Sequence, residues 1–201
     1  MDDAVLIQQS LQGDLDAFNR LVLAYQDMLY NQAYRVIGEP GAAEDATQEA
    51  FISAFRKLHT YRGGSFKSWL LRIVTNACYD ELRRRKRKPI APLEPQNEDG
   101  EEIESPTWMV DPGDSPEERL QQRELAGAIQ RCLDQLSTDF RMVVVLIDVQ
   151  GLDYAEVSKV LETPLGTIKS RLARARHRMQ DCLREFRELL PSAFRLREEA
   201  S

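Results

Sequence analysis

Apolar residues recur along this chain at three- and four-residue spacing, and the runs are punctuated by glycine, proline and capping residues. That is the pattern of successive helices. The spacing predicts a short opening helix over Ala4–Leu11, ended by Gly13. Asp14 caps a long helix to Ile37 with a stripe of Phe18, Leu21, Val22, Tyr25, Leu29, Ala33 and Val36, and Gly38-Glu39-Pro40-Gly41 closes it. A third helix, Ala43–Leu58, has Phe51, Ala54, Phe55 and Leu58 as its predicted buried stripe. After the loop His59–Phe66, Ser65 caps a helix from Phe66 towards Lys88, with Trp69, Ile73 and Ala77 towards the core and Leu70 and Val74 beside them. The periodicity then lapses from Pro89 to Pro116, a stretch with six prolines and strong acidity, which predicts a flexible linker. It resumes at Ser115-Pro116-Glu117-Glu118, a cap, a proline and a capping-box glutamate in order. That helix continues through Leu120, Leu125, Ile129 and Leu133 to about Leu136, and another spans Thr138–Val149 up to Gly151. The predicted fold class is all-α, two small helical domains on either side of the linker.

The stretch Asp153–Arg178 carries the sharpest signal. Asp153 and Glu156 form a capping box, and Tyr154, Val157, Val160 and Leu161 follow at helical spacing to face a small core. Thr163-Pro164 stops this helix and starts the next, with Thr163 as N-cap and Pro164 at the first helical position. The second helix carries Ile168 and Leu172 on one face and Lys169, Arg171, Arg174, Arg176 and Arg178 elsewhere, and extends past Arg178 towards Leu190, where Pro191 ends it. A short helix, a tight turn and a basic second helix match a helix-turn-helix, whose second helix enters the major groove. The alternative is a solvated cationic face on an ordinary helical pair. The caps, the proline and the basic cluster together favour DNA binding.

Charge changes the picture once its distribution is read. The 201 residues carry a formal net charge of −6, yet Ala91–Glu118 holds ten acidic residues and no basic one. Setting that stretch aside leaves +4, so an acidic linker conceals two basic segments. Cys78, Cys132 and Cys182 are far apart, odd in number and without a C-x-x-C pair or a histidine cluster. Neither a disulfide framework nor a zinc site is therefore expected, and each cysteine reads as an apolar filler. The N-terminus is acidic without an apolar run, and Met142–Ile147 is too short to span a bilayer. The expected compartment is the cytoplasm, with no membrane segment, metal or cofactor.

Three further faces carry candidate chemistry. Asp45, Gln48, Glu49 and Ile52 share one helical face. It reads as a solvated surface or a partner-docking surface, since no histidine or further carboxylate joins the pair to support catalysis. The loop HTYRGGSF has aromatics, an arginine and paired glycines; it is either a connector or a device for stacking an unpaired base. Arg72, Thr75, Asn76, Tyr79, Asp80 and Arg83 share a polar face suited to bases and phosphates, ending in the cationic run Arg83–Lys88, a solubilising tail or a phosphate clamp. The island Thr107-Trp108-Met109-Val110 in the linker is a docking plug or a self-contact.

With both helical blocks read, the chain resembles the extracytoplasmic-function (ECF) sigma factors of bacterial RNA polymerase. AEDATQEAFISAFRKL followed by SFKSWLLRIVTNACYDELRRRKRK is similar to the family's domain 2, and LSTDFRMVVVLIDVQGLDYAEVSKVLETPLGTIKSRLARAR to its domain 4. The resemblance implies sigma domain 2 over 1–90, an acidic linker over 91–114, sigma domain 4 over 115–191 and a frayed tail over 192–201. It implies that Asp45, Gln48, Glu49 and Ile52 dock on core polymerase. Tyr61, Arg62 and Phe66 fall in the loop that captures a flipped base of the −10 element, and Arg72, Asn76, Tyr79, Asp80 and Arg83 on the helix that recognises and melts it. Lys169, Ser170, Ala173 and Arg174 fall on base-reading positions for the −35 element, with Thr167, Arg171 and Arg176 as candidate phosphate contacts. Core RNA polymerase, double-stranded and melted promoter DNA and an anti-sigma factor are the implied partners, and the implied role is non-enzymatic. Glu162 stands where the family often has Gly, so a left-handed backbone there carries strain. Ser158 replaces a common Ala, and Ala173 an aromatic found in some members, which leaves the −35 sequence open. The rival reading is an autonomous helix-turn-helix regulator, which lacks a dimer helix here and leaves the Asp45 face and the aromatic loop unused.

Overall fold

The computed structural model describes residues 3–87 and 115–191; the linker 91–114, with its Thr107–Val110 island, and the 192–201 tail lie outside the described residues. Among the described residues all regular structure is helical: α1 (Asp3–Leu11), α2 (Leu15–Ile37), α3 (Pro40–Lys57), α4 (Phe66–Arg87), α5 (Pro116–Asp134), α6 (Thr138–Val144, continued by a π-helical turn, Val145–Val149), α7 (Tyr154–Val160) and α8 (Leu165–Leu183).

Local chemistry sets most of the ends. Asp14 accepts from Ala17 N at the start of α2, and Gly38 closes that helix at φ 82°, the left-handed region where glycine has no Cβ to clash. The predicted closing turn Gly38–Gly41 is shorter than expected. Glu39 is itself the N-cap of α3, accepting from Gly41 N and Ala42 N, and Pro40 takes the first helical position, where its missing N–H costs nothing. Burial pushes the Glu39 carboxyl up, but the Arg85 guanidinium and the Ala42 and Gly41 amides outweigh it and hold the group below its ordinary value. Its contribution to stability is therefore present above the unfolded-state pKa and lost as pH falls through the lower folded one.

Two predicted stripes are rotated. On α3 the buried face is Ala42, Ala43, Ala46, Thr47, Ala50 and Ala54, while Phe51 is half-buried and Phe55 lies exposed with its ring edge-on to Phe18 at 5.0 Å. Small residues let α3 approach α2 and α4 closely, and the aromatics pack around the rim. On α4, Phe66, Leu70, Leu71, Val74, Thr75 and Cys78 are buried, and Trp69, Ile73 and Ala77 pack beside them. Thr75, placed on the polar face by spacing, is inside because α4 is covered on two sides. In domain 4 the expected core residue Leu120 is exposed, and α8 stops at Leu183, followed by a 3-10 turn over Arg184–Phe186.

The two domains pack against each other. One apolar cluster runs from Leu21, Leu29 and Val36 on α2 to Leu133, Met142 and Leu146 on α5 and α6. The seam centres on the C-terminus of α2, whose last carbonyls lack intrahelical donors. Gly38 N donates to Tyr34 O, Gln130 Nε2 to Arg35 O at 3.3 Å and Arg141 Nη1 to Val36 O at 2.7 Å. Arg141 also donates to Asp134 O and Leu136 O and pairs with Asp134 at 3.1 Å. A Cβ on Gly38 would sit 2.9 Å from Asp134 Oδ1, so the seam closes only over a glycine. Gln32, fully buried, donates to Met142 Sδ at 3.4 Å.

Within domain 4, Cys132 on α5 and Cys182 on α8 form a disulfide, with Cα atoms 5.7 Å apart. This corrects the expectation of three independent fillers. Helices 50 residues apart in sequence meet at these positions, a proximity that spacing along the chain does not encode. Cys78 remains free and buried, and burial pushes its thiol up to about 12.

Two outcomes follow. Reduction, or Cys182→Ser, is expected to lower the unfolding free energy by up to about 4 kcal/mol, the loop-closure value at this separation. A lower Tm with reductant than without it is the readout, and equal values would show that the crosslink adds nothing to stability. Arg141→Ala is expected to part the domains, raising the radius of gyration in small-angle scattering while circular dichroism keeps the same helix content. An unchanged radius would locate the adhesion elsewhere.

Candidate nucleic-acid interface

The helix-turn-helix is built by α7, a tight turn and α8. Asp153 and Glu156 form the predicted capping box. The turn is stapled by side chains, with Ser158 Oγ donating to Thr163 O at 2.6 Å and Thr163 Oγ1 to Leu161 O at 3.0 Å. Because the Thr163 hydroxyl is turned back to Leu161, it does not cap α8; Pro164 holds the N-cap position instead, one residue earlier than expected. Glu162 adopts φ 49°, the left-handed conformation anticipated for the position. Such a conformation costs a non-glycine residue about 1–3 kcal/mol.

Helix α8 buries Ile168, Leu172, Ala175 and Cys182. That register turns Lys169, Ser170, Ala173 and Arg174 outward along one exposed strip, with Thr167 and Arg171 half-buried at its border and Arg176 exposed. Two of the cations are engaged: Arg171 with Asp139 at 2.8 Å and Arg176 with Asp148, Nε to Oδ2 at 3.1 Å. These pairs are partly exposed and contribute little to stability, so phosphates can replace the carboxylates at small cost. Tyr154, expected in the core, is exposed, and Lys169 Nζ lies 5.7 Å over its ring. It sits at the start of α7, outside the core that Val157 and Val160 fill.

In domain 2, the loop after the 3-10 turn Leu58–Thr60 carries Tyr61, Arg62, Gly63, Gly64 and Ser65. Gly63 and Gly64 have φ 88° and 91° with open space where a Cβ would stand, so glycine is needed there for backbone conformation. Tyr61 OH donates to Gly64 O at 2.7 Å and pins the loop. Ser65 Oγ accepts from Ser68 N, capping α4. Phe66 is buried, forming an aromatic floor with Tyr61 and Trp69 at centroid distances of 5.4 Å each, while Arg62 is exposed at the rim.

Along α4, Arg72, Asn76, Asp80 and Arg83 are exposed on one face and Tyr79 is half-buried. Domain 4 lies across part of this face. Lys67 Nζ donates to Gln150 O at 2.5 Å and Ser68 Oγ to Glu156 Oε1 at 2.7 Å; Arg72 pairs with Glu162, and Tyr79 OH approaches Asp139 Oδ1 at 3.4 Å. Burial, reinforced by Asp139, pushes the Tyr79 hydroxyl up to about 12, so it remains a donor at neutral pH. Of the cationic run, Arg83 approaches Asp80 at 3.4 Å, Arg84 pairs with Glu81, and Arg85 with Glu81 and Glu39. Glu39 and Glu81 thus occupy two of the cations read as a phosphate clamp.

Asp45, Gln48, Glu49 and Ile52 are all exposed on α3. Beside them opens a shallow groove of about 460 Å³, lined by Val22, Gln26, Asp27, Tyr30, Phe51 and Ile52 among others. Sequence reasoning missed the participation of α2 in this surface and that of Asp139, which holds both Tyr79 and Arg171. Neither carries a local signal; both depend on how helices distant in sequence meet. Among the described residues, no group of His, Cys, Asp or Glu is placed to hold a metal, and no helix is long and apolar enough to cross a membrane.

Comparison with known proteins agrees with this geometry. Residues 21–88 match the Sigma-70 region 2 model and residues 126–179 the Sigma-70 region 4 model. The chain is 38% identical over 172 residues to the ECF RNA polymerase sigma factor SigE of Mycolicibacterium smegmatis, covering 86% of this chain and 63% of that protein. It is 34% identical to the ECF sigma factor SigW of Bacillus subtilis, covering 89% of this chain and 95% of the relative. The structure matches that of the sigma factor RpoE of Bartonella quintana, solved with the anti-sigma factor NepR, at a TM-score of 0.62 and 28% identity over 83% of this chain and 96% of that one. Two sigma regions in this order, with an exposed basic recognition helix and an aromatic loop, place the chain in one family: it belongs to the ECF RNA polymerase sigma factors, alternative sigma factors that direct promoter-specific transcription.

Proposed function

We propose that this chain docks on core RNA polymerase through the Asp45, Gln48, Glu49 and Ile52 face, traps unstacked −10 bases at the Tyr61–Phe66 loop and along Arg72, Asn76, Tyr79, Asp80 and Arg83, and reads the −35 duplex with α8. The domain assignment is 1–90 for the first two tasks and 115–191 for the third. The observation that carries this reading is the outward strip Lys169, Ser170, Ala173 and Arg174 on a stapled helix-turn-helix, in a chain whose other half presents an aromatic, glycine-hinged loop. Extruding a base costs a few kcal/mol, which stacking and charge contacts offset. The role is that of a non-catalytic specificity subunit working in the cytoplasm. The solved relative is bound to an anti-sigma factor, and the same class of partner is proposed here.

The packed arrangement bears on the mechanism. Helices α6 and α7 hold Lys67, Ser68, Arg72 and Tyr79 through hydrogen bonds and one exposed ion pair. Engaging melted DNA with these groups requires the domains to part. Free chain in this arrangement is a poor DNA binder, and core polymerase supplies the surface that holds it open.

Run-off transcription with a bacterial core polymerase on a promoter-fragment pool is expected to give new, specific transcripts only when the chain is added. Silence, with a core from the source organism shown competent by another sigma factor, would favour an autonomous regulator. Lys169→Ala and Arg174→Ala are each expected to reduce use of the −35 element by about 5- to 150-fold, the equivalent of ~1–3 kcal/mol for a good base contact. Asp45→Lys with Glu49→Lys is expected to weaken capture by core polymerase in a pull-down while leaving the Tm of the free chain close to wild type. Unchanged capture would remove the α3 face from the docking surface.

A further inference from the structure

The loop Tyr61–Ser65 is only half of a cavity. Across from it lies α1, and between them opens a space of about 860 Å³. Its chemistry is that of a base-binding site. Tyr25, Tyr61 and Phe66 supply aromatic surface, with Tyr25 and Phe66 edge to face at 5.6 Å. Arg62 and Lys67 stand at the rim, where a phosphate backbone would pass. The α1 wall contributes Asp3, Ile7 and Gln8. Tyr25 OH donates to Asp3 Oδ2 and fixes the orientation of the carboxylate. Burial first, and the Asp3 bond second, push the Tyr25 hydroxyl up to about 12, so it stays protonated and keeps donating. An ionised carboxylate only accepts and has room for several donors, and Tyr25 uses one site.

We propose that α1 forms the second wall of the base-capture cavity and that Asp3 is a specificity-determining residue, selecting at the captured position a base with an exocyclic amino group, cytosine or adenine, over thymine. The inference rests on base capture by the Tyr61–Phe66 loop and adds the identity of what is captured. A carboxylate accepts from an amino group as it does from cytosine N4. Thymine offers carbonyl oxygens at the corresponding edge, and these face Asp3 without a proton between them. Tyr25 acts as a positioning residue through Asp3.

The test uses the reconstituted holoenzyme and a promoter found by run-off transcription, in which each non-template position of the −10 element carries each of the four bases in turn. Wild type is expected to disfavour thymine about 10- to 100-fold at one position, the range of one good polar contact to a base. Asp3→Asn, whose amide donates as well as accepts, is expected to narrow that difference to about threefold at the same position and leave the others unchanged. Tyr25→Phe is expected to narrow it partly, with total transcription from the preferred template retained. A thymine penalty that survives Asp3→Asn, or the absence of any position disfavouring thymine, overturns the inference and leaves the sigma activity standing. Silence of wild type on every template overturns the function beneath it.

Discussion

The arrangement of this molecule depends on how the C-terminus of α2 is finished. A helix end leaves carbonyls that need donors, and here they come from the other domain: Gln130 reaches Arg35 O and Arg141 reaches Val36 O. The Arg141 guanidinium also answers Asp134 O and Leu136 O beyond α5, so one cation satisfies the ends of two helices and ties domain 2 to domain 4. Its charge is favourable there, since carbonyl-rich helix termini are partly negative. Burial lowers the Arg141 pKa, but arginine remains charged at any physiological pH, and the seam is insensitive to neutral-range titration. Gly38 completes it, being both the left-handed cap of α2 and the point of closest approach to Asp134.

From that seam the placement of the DNA-facing groups follows. With α5 and α6 docked on α2, the first turns of α4 meet α7, and Lys67, Ser68, Arg72 and Tyr79 find partners in domain 4. The surface proposed to hold melted −10 DNA is thus partly engaged, whereas the α8 strip stays open. The contacts over α4 are polar and partly exposed, so they are cheap to exchange for DNA; the contacts at α2 are buried and are not. Opening is controlled at α2, several turns from the surface it uncovers. The disulfide acts within one domain, holding α5 to α8, and so keeps the recognition helix in register with the helix that carries Gln130.

Sequence patterning reached further here than in most chains because the local signals are strong. Asp14, Gly13, Gly38, the Ser115 and Asp153 capping boxes and Ser65 each mark a boundary through interactions spanning only a few residues. It failed where choice of face depended on neighbours. On α3, apolar bulk pointed to Phe51 and Phe55, yet close helix approach selected the alanine face. On α4, the face with Thr75 was drawn inward because a second domain covers that side. Tyr154 and Leu120 have apolar character and helical spacing but sit at helix starts that extend beyond the core.

What the amino-acid sequence determined by itself is therefore the helices, their caps, the two basic blocks separated by an acidic stretch, and the helix-turn-helix with its left-handed Glu162. All are set by interactions within a turn or two of chain. Only the tertiary structure decided the Cys132–Cys182 bond, the capping of α2 by Gln130 and Arg141, and the meeting of Asp3 with the Tyr61 loop. These join residues tens of positions apart, through packing geometry that no local spacing records.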